Sequence, residues 1–231
     1  MFTVVSAKKW GPRALKLDEK MIADAKELVS LMGFPVVQAP GEGEAQIVHM
    51  MKEGKVEGCV SQDYDSLLFG AATIYRNIGV SGKRKVPGKN IYADVAPEKI
   101  VLQKTLQENG ITQEKLIWIG MLIGTDFNEK FPKIGVKTAL KLVKEHNSFD
   151  EIIKATEYAP DFDWHEVAEM FAKPAATSDY KISFSAPQKE KLMEFLCDKH
   201  DFSSERVGSS VEKLSQKLSE KSKQSRLGDW S

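Results

Sequence analysis

Apolar residues recur at helical spacing from Asp18 onward, at Met21, Ile22, Ala25, Leu28, Val29 and Met32, and Gly33 follows. The pattern predicts an amphipathic helix with Asp18 as its N-cap and Gly33 as its stop. Pro35-Val36-Val37 reads as a short strand, and Ala39-Pro40-Gly41 turns the chain into a helix over 42–51 that ends near Gly54. Small and apolar residues from Lys55 to Ser61 predict a second buried strand, broken by Gln62-Asp63-Tyr64-Asp65-Ser66. Ala72 to Asn77 and Asn90 to Asp94 read as two strands joined by the loop Ile78 to Lys89. Beyond Pro97 the periodicity turns helical, over Glu98 to Asn109 and then Thr112 to Gly124. Leu116, Ile117, Ile119, Met121, Leu122 and Ile123 make the second of these apolar on most sides. A tight hairpin from Phe131 to Ala139 leads into a helix carrying Leu140, Leu142 and Val143. Further helices are expected over Phe149 to Thr156, Asp163 to Phe171, Pro187 to Asp198 and Ser203 to Glu220. The tail from Ser219 is polar, rich in Lys and Ser, and expected to be disordered. The fold class is α/β in the first half and helical in the second.

Composition narrows the function. With 231 residues, 42% of them hydrophobic, the chain can bury one large core or a core with an appendage. No apolar run is long enough to span a bilayer, and Met1 to Gly11 lacks the shape of a signal peptide, so a soluble protein is expected. Cys59 and Cys197, the two cysteines, lie in apolar stretches, which favours reduced buried thiols over a disulfide or a nucleophile. Lys and Arg number 33 and Asp and Glu 33, so any nucleic acid has to be held by local patches, without help from a global field.

The acidic residues carry the chemistry. Glu42-Gly43-Glu44 and Asp63-Tyr64-Asp65 lie about twenty residues apart, each at the edge of an apolar run, and Asp126 sits in Gly124-Thr125-Asp126-Phe127. In an open α/β sheet, ligands sit beyond the carboxyl ends of the strands, so both acidic pairs can face one crevice. Carboxylates a few ångströms apart repel by roughly 4 kcal/mol per pair at an effective dielectric of 20, so such a cluster calls for divalent cations or protons. Each acid also has an ordinary use: Glu42 and Glu44 can complement a helix dipole, Asp63 and Asp65 can form turns or caps, and Asp126 can cap the next turn. Gly41-Glu42-Gly43-Glu44 is no dinucleotide fingerprint, because acidic side chains stand where a pyrophosphate would approach, and no Walker-type loop is present.

Basic residues fall in two places. Lys83, Arg84, Lys85 and Lys89 belong to a loop too poor in apolar residues to be core. Ile134-Gly135-Val136-Lys137 opens a helix whose free amides can meet a phosphate, with Lys133 and Lys137 flanking the turn and Lys141 and Lys144 further along. His49, His146, His165 and His200 show no metal-ligand spacing, and Trp10, Trp118 and Trp164 read as packing residues.

Four stretches together resemble the internal domain of archaeal-type flap endonucleases of the XPG nuclease superfamily: Ala39 to Gln46, Ser61 to Gly70, Ile123 to Phe127 and Ile134 to Leu140. Lys83 to Asn90 and Phe195 to Phe202 extend the likeness, which runs in the family's order from about Lys20 to the end of the chain. The resemblance implies a PIN-like parallel sheet with flanking helices and a structure-specific nuclease that cuts 5′ flaps on branched DNA in replication and repair. It implies two magnesium ions, replaceable by manganese, held by Glu42, Glu44, Asp63, Asp65 and Asp126 directly or through water. It implies DNA contacts at Glu42, Gly124 and Asp126, at Lys83, Arg84, Lys85 and Lys89, and at Lys133, Gly135 and Lys137. The Gly135 turn would belong to a helix-turn-helix variant that grips duplex phosphates with a monovalent cation. A cytoplasmic, chromosome-associated protein is implied as well.

The departures from the family are equally specific. The family's N-terminal domain, with two further aspartates and a helical arch, has no counterpart, and residues 1–17 read as its remnant or a linker. Five acids stand where the family has seven, so a separate N-terminal polypeptide is expected as a partner. Lys133 replaces a frequent Gly and Val136 a frequent Pro. Gln224, Leu227 and Trp230 resemble a weakened sliding-clamp-binding peptide, with Ser231 where a second aromatic belongs. The expected division is 18–127 for the nuclease portion, 128–218 for the helical DNA-binding portion and 219–231 for the clamp-binding tail. Two rivals remain: a DNA- and clamp-binding module without catalysis, and a 5′-to-3′ exonuclease or gap nuclease of the same superfamily.

Overall fold

The computed structural model describes residues 18–79, 82–85 and 90–228. The expectations for residues 1–17, Trp10, Lys89 and Trp230 lie outside the described residues. Packing divides the chain into two compact units, 39–178 and a second made of the segments before 39 and after 178.

In the larger unit, helix α2 (Gly43–Lys52) leads to strand β1 (Cys59–Val60), helix α3 (Asp65–Leu68) and strand β2 (Thr73–Arg76). A hairpin of β3 (Gly82–Lys85) and β4 (Tyr92–Val95) follows, then β5 (Glu98–Val101), α4 (Leu102–Asn109), α5 (Gln113–Ile123), α6 (Val136–Glu145), α7 (Phe149–Thr156) and α8 (Trp164–Ala172). The main sheet has the order β1-β2-β5, parallel between β1 and β2 and antiparallel between β2 and β5. Its register aligns Cys59 with Ile74 and Ile74 with Ile100. Cys59 and Ile74 are buried, and Ile100 packs on the same core. The mixed α/β architecture with a partly parallel sheet agrees with the expected fold class.

Several strands differ from the sequence pattern. Residues 55–61 yield only the two residues of β1. The run at Pro35 to Val37 forms no strand among the described residues. Ala72 to Asn77 does not pair with Asn90 to Asp94: β2 lies between β1 and β5, and β4 pairs with β3, a strand that forms inside the expected loop. Glu98 to Val101, expected as the first turn of a helix, is β5, where Ile100 meets the core while Glu98 and Lys99 remain exposed. Ile100 is turned inward between exposed Lys99 and Val101, as successive residues of a strand are, and the helix starts only at Leu102.

One core unites the sheet with the helices on both sides of residue 127. Phe131 and Phe149 are fully buried in it and meet edge to face at 5.9 Å between ring centroids, and Phe131 meets Tyr158 at 4.8 Å. Packing therefore does not break between 127 and 128. Cys59 and Cys197 are free thiols, and burial, the largest cause, pushes the Cys59 thiol upward, against nucleophilic use.

The smaller unit holds α1 (Glu19–Leu31), α9 (Lys189–Met193) continuing into a π-turn over Glu194–Asp198, and α10 (Ser204–Gly228). Asp18 caps α1 through a 2.7 Å bond from the Met21 amide. Leu31, Leu192, Phe195, Val207 and Val211 form its core. Gly33 is obligatory, because φ is +86° and a Cβ would lie 2.2 Å from the Ser185 carbonyl oxygen. Residues 219–228, expected as disordered, continue α10. The run Ser219 to Arg226 is composed largely of Glu, Lys, Gln, Ser and Arg without Gly or Pro, so nothing in it interrupts a helix already started.

Candidate metal centre

Three segments of the larger unit bring the acids together. Glu42 is the N-cap residue of α2, with φ −70° and ψ 133°, yet its side chain makes no capping hydrogen bond, so its carboxylate is not used to satisfy the helix end. Glu44 lies in the first turn of α2 and accepts a 2.6 Å hydrogen bond from the Ser61 hydroxyl. The same Ser61 oxygen accepts from the Asp63 amide at 3.1 Å, so one hydroxyl ties the helix start to the turn after β1. Asp65 opens α3.

Asp126 stands in a loop built by its neighbours. Gly124 ends α5 at φ +92°, where a Cβ would come within 3.1 Å of the Lys130 backbone. The fold thus requires this glycine for its own packing. Thr125 donates to the Asn128 side-chain oxygen at 2.7 Å, and the buried Asn128 amide donates to the carbonyls of Met121 and Glu129 at 2.8 Å each. Those bonds hold the loop while Asp126 itself is exposed.

Electrostatics show that the five carboxylates share one neighbourhood. Burial raises the Asp65 carboxyl, and Asp126, Glu44, Asp63 and Glu42 push it further, from 3.8 to about 6. The donor set is all hard oxygen, the class that suits magnesium or manganese and not zinc. Among the described residues no three acids are gathered tightly enough to ligate one ion by themselves, so ions held here would complete their shells with water. On donor chemistry and mutual repulsion, the residues fit divalent cations.

The basic residues fall apart from one another along the chain. Lys83, Arg84 and Lys85 lie on β3 of the two-stranded hairpin, a sheet separate from β1-β2-β5. Lys133 takes a left-handed conformation at φ +60° in the turn before α6, and Lys137 lies in the first turn of that helix; both are exposed. Gly135 has φ −111°, and a Cβ there would meet nothing within 4 Å, so neither backbone strain nor the chain's own packing demands glycine. Among the described residues the histidines join no metal-like grouping; His49 bonds the Ser178 hydroxyl at 2.9 Å.

Two contributors escaped the sequence reading. Ser61 was legible only as part of the motif around Asp63. Arg76, at the end of β2, reaches the acidic turn through space, and its spacing from Asp63 carries no signal.

Residues 33–126 match the XPG I-region family. Over 228 residues the chain is 45% identical to flap endonuclease 1 of Pyrococcus furiosus, covering 98% of this chain and 66% of the relative. Flap endonuclease-1 from Methanococcus jannaschii superposes with a TM-score of 0.77 at 36% identity, covering 93% of this chain and 63% of that one. The catalytic core of Rad2 in complex with DNA substrate shares the fold, with a TM-score of 0.68 at 21% identity over 90% of this chain and 71% of that one. The chain spans about two thirds of the length of the curated relatives it matches, 66% and 65% for two Pyrococcus proteins. With all five acids inside the matched I-region and the likeness running along 98% of the chain, the chain belongs to the XPG nuclease superfamily, as a homologue of the archaeal flap endonucleases.

Proposed function

We propose that this chain forms the metal-binding and duplex-gripping portion of a structure-specific 5′ flap endonuclease acting on branched DNA in replication and repair. One observation carries the reading: burial, and after it the carboxylates of three separate segments, hold the Asp65 carboxyl at about 6. A protein maintains such repulsion at a site where cations offset it. Glu42, Glu44, Asp63, Asp65 and Asp126 would hold two magnesium ions, with manganese as a substitute. Bound there, the ions supply Lewis acidity to the scissile phosphodiester and make a water acidic enough to attack near neutral pH.

The rest is the work of the chain's own groups. Ser61 fixes Glu44 against the Asp63 turn, and the Thr125–Asn128 loop presents Asp126. The amides at the start of α6, with Lys133, Lys137 and the open space over Gly135, offer a place for a duplex phosphate, and a monovalent cation there would sit on carbonyl oxygens of the turn. Lys83, Arg84, Lys85 and Lys89 add phosphate contacts that do not read sequence. Gln224, Leu227 and Trp230 supply a sliding-clamp contact, tested by titrating the clamp against Trp230→Ala, where an unchanged affinity rules it out. The protein works on the chromosome in the cytoplasm; among the described residues no helix is long and apolar enough to cross a membrane.

Full activity draws on the third of the relatives' length that this chain does not cover, which can be supplied as a polypeptide in trans. The test is cleavage of a 5′-flap substrate by this chain with and without that polypeptide in trans. Strong stimulation, abolished by Asp63→Asn or Glu42→Gln, is the expected result. Equal cleavage by this chain alone would refute the dependence, and indifference to both substitutions would leave a DNA-binding scaffold.

A further inference from the structure

We propose that Arg76 is the positioning residue of the metal centre: its guanidinium holds the turn that carries Asp63 and Asp65. The inference rests on the metal-site reading above and concerns how the site is kept in shape. β1 and β2 run parallel, and where β1 gives way to the acidic turn the Ser61 amide still donates to the Tyr75 carbonyl at 3.2 Å. The next residue of β2 is Arg76, and its side chain continues the tether beyond the last backbone bond. Nη2 donates to the Gln62 carbonyl at 2.9 Å and Nε to the same oxygen at 3.3 Å. Nη1 donates to the Tyr64 hydroxyl and lies 3.3 Å from a Glu98 carboxylate oxygen on β5. The guanidinium carbon sits 4.0 Å over the centroid of the Tyr64 ring.

Gln62 and Tyr64 are the two residues that bracket Asp63, and Tyr64 immediately precedes Asp65. One planar cation therefore fixes the backbone before the first acid and the side chain between the two. None of its donors goes to the five acids; the charge is matched by Glu98, its antiparallel partner in the sheet. Tyr64 is about half exposed, at 52%, an odd place for an aromatic ring unless it is held from below. A lysine cannot reproduce this arrangement, because an ammonium has neither the fork that reaches Gln62 and Tyr64 together nor the flat face that stacks.

The sign of the effect separates positioning from charge. A bare cation near a metal site opposes the metal, so its removal would tighten binding. A positioning residue does the reverse. Mn2+ affinity is measured by the signal of free Mn2+ in electron paramagnetic resonance for the wild-type chain and for Arg76→Gln, Arg76→Lys and Tyr64→Leu, with melting in EDTA as the check on folding. Arg76→Gln and Arg76→Lys are expected to weaken Mn2+ about tenfold, the range found when a group supporting metal ligands is removed, with no rescue by lysine. Tyr64→Leu, which leaves β2 intact, is expected to weaken it severalfold and serves if an Arg76 variant fails to fold. Unchanged or tighter Mn2+ binding in folded Arg76→Gln overturns the role of Arg76. Wild-type chain that binds no Mn2+ overturns the metal reading along with it.

Discussion

Asp65 is the residue on which the electrostatics of the site converge, and its titration makes a measurable difference to stability. Its carboxyl is held at about 6, above the 3.8 of a free Asp, so the folded state binds this proton more tightly than the unfolded state does. The associated stabilisation is complete below the unfolded value and disappears as pH rises through about 6. In EDTA, urea denaturation is expected to show this group favouring the folded state more at pH 5 than at pH 7.5. The full shift corresponds to about 3 kcal/mol, and solvent screening of a half-buried group reduces it to roughly 1 kcal/mol. Asp65→Asn should recover about that much stability at pH 7.5 and remove the stabilisation by magnesium; loss of stability in EDTA would contradict the repulsion. Lys133 offers a second test at this scale. Its φ of +60° costs a side chain and suits glycine, so Lys133→Gly should stabilise the chain by roughly 0.5–1 kcal/mol in the same denaturation while weakening duplex affinity.

At the scale of elements, two glycines that look alike in sequence part company. Gly124 is needed by the fold, because both its φ of +92° and the Lys130 backbone beside it exclude a side chain. Gly124→Ala should cost roughly 1–3 kcal/mol. Gly135→Ala should leave the melting temperature unchanged, since its surroundings are open, and should weaken duplex binding if the start of α6 meets a phosphate. A matched pair of melting curves and duplex titrations checks both. The same scale explains what could be read in advance. Helices announce themselves locally: Asp18, Thr112, Ser148 and Asp163 each accept amide hydrogen bonds at a helix start, and α7 falls where the pattern placed it. Strands of two to four residues contain only one or two periods, and their pairing is set by residues far along the chain. That is why β5 resembled a helix start and β3 a loop. The acids were legible because strand ends and helix starts are where an α/β sheet places ligands. Arg76 was not, since its contact with Gln62 and Tyr64 exists only once β1 and β2 are side by side.

For the whole molecule, equal numbers of acidic and basic residues mean that DNA must be held by patches. If Lys83, Arg84, Lys85, Lys89, Lys133 and Lys137 each neutralise one duplex phosphate, the logarithm of affinity should fall against the logarithm of salt with a slope of about −5. Fluorescence anisotropy across a salt series measures that slope; Lys137→Ala should make it shallower by about 1 and act alike on unrelated sequences. A slope near zero would remove the phosphate-gripping role from these residues.

Everything proposed for this chain depends on the five acids acting as one divalent-metal site. Calorimetric titration of magnesium into this chain at pH 6 and pH 8, in buffers of different ionisation enthalpy, reads both binding and proton release. With Asp65 near 6, the account predicts saturable binding that releases about half a proton at pH 6 and almost none at pH 8, with the release absent in Asp65→Asn. No saturable binding, or proton release that is the same at both pH values and in the variant, would contradict it.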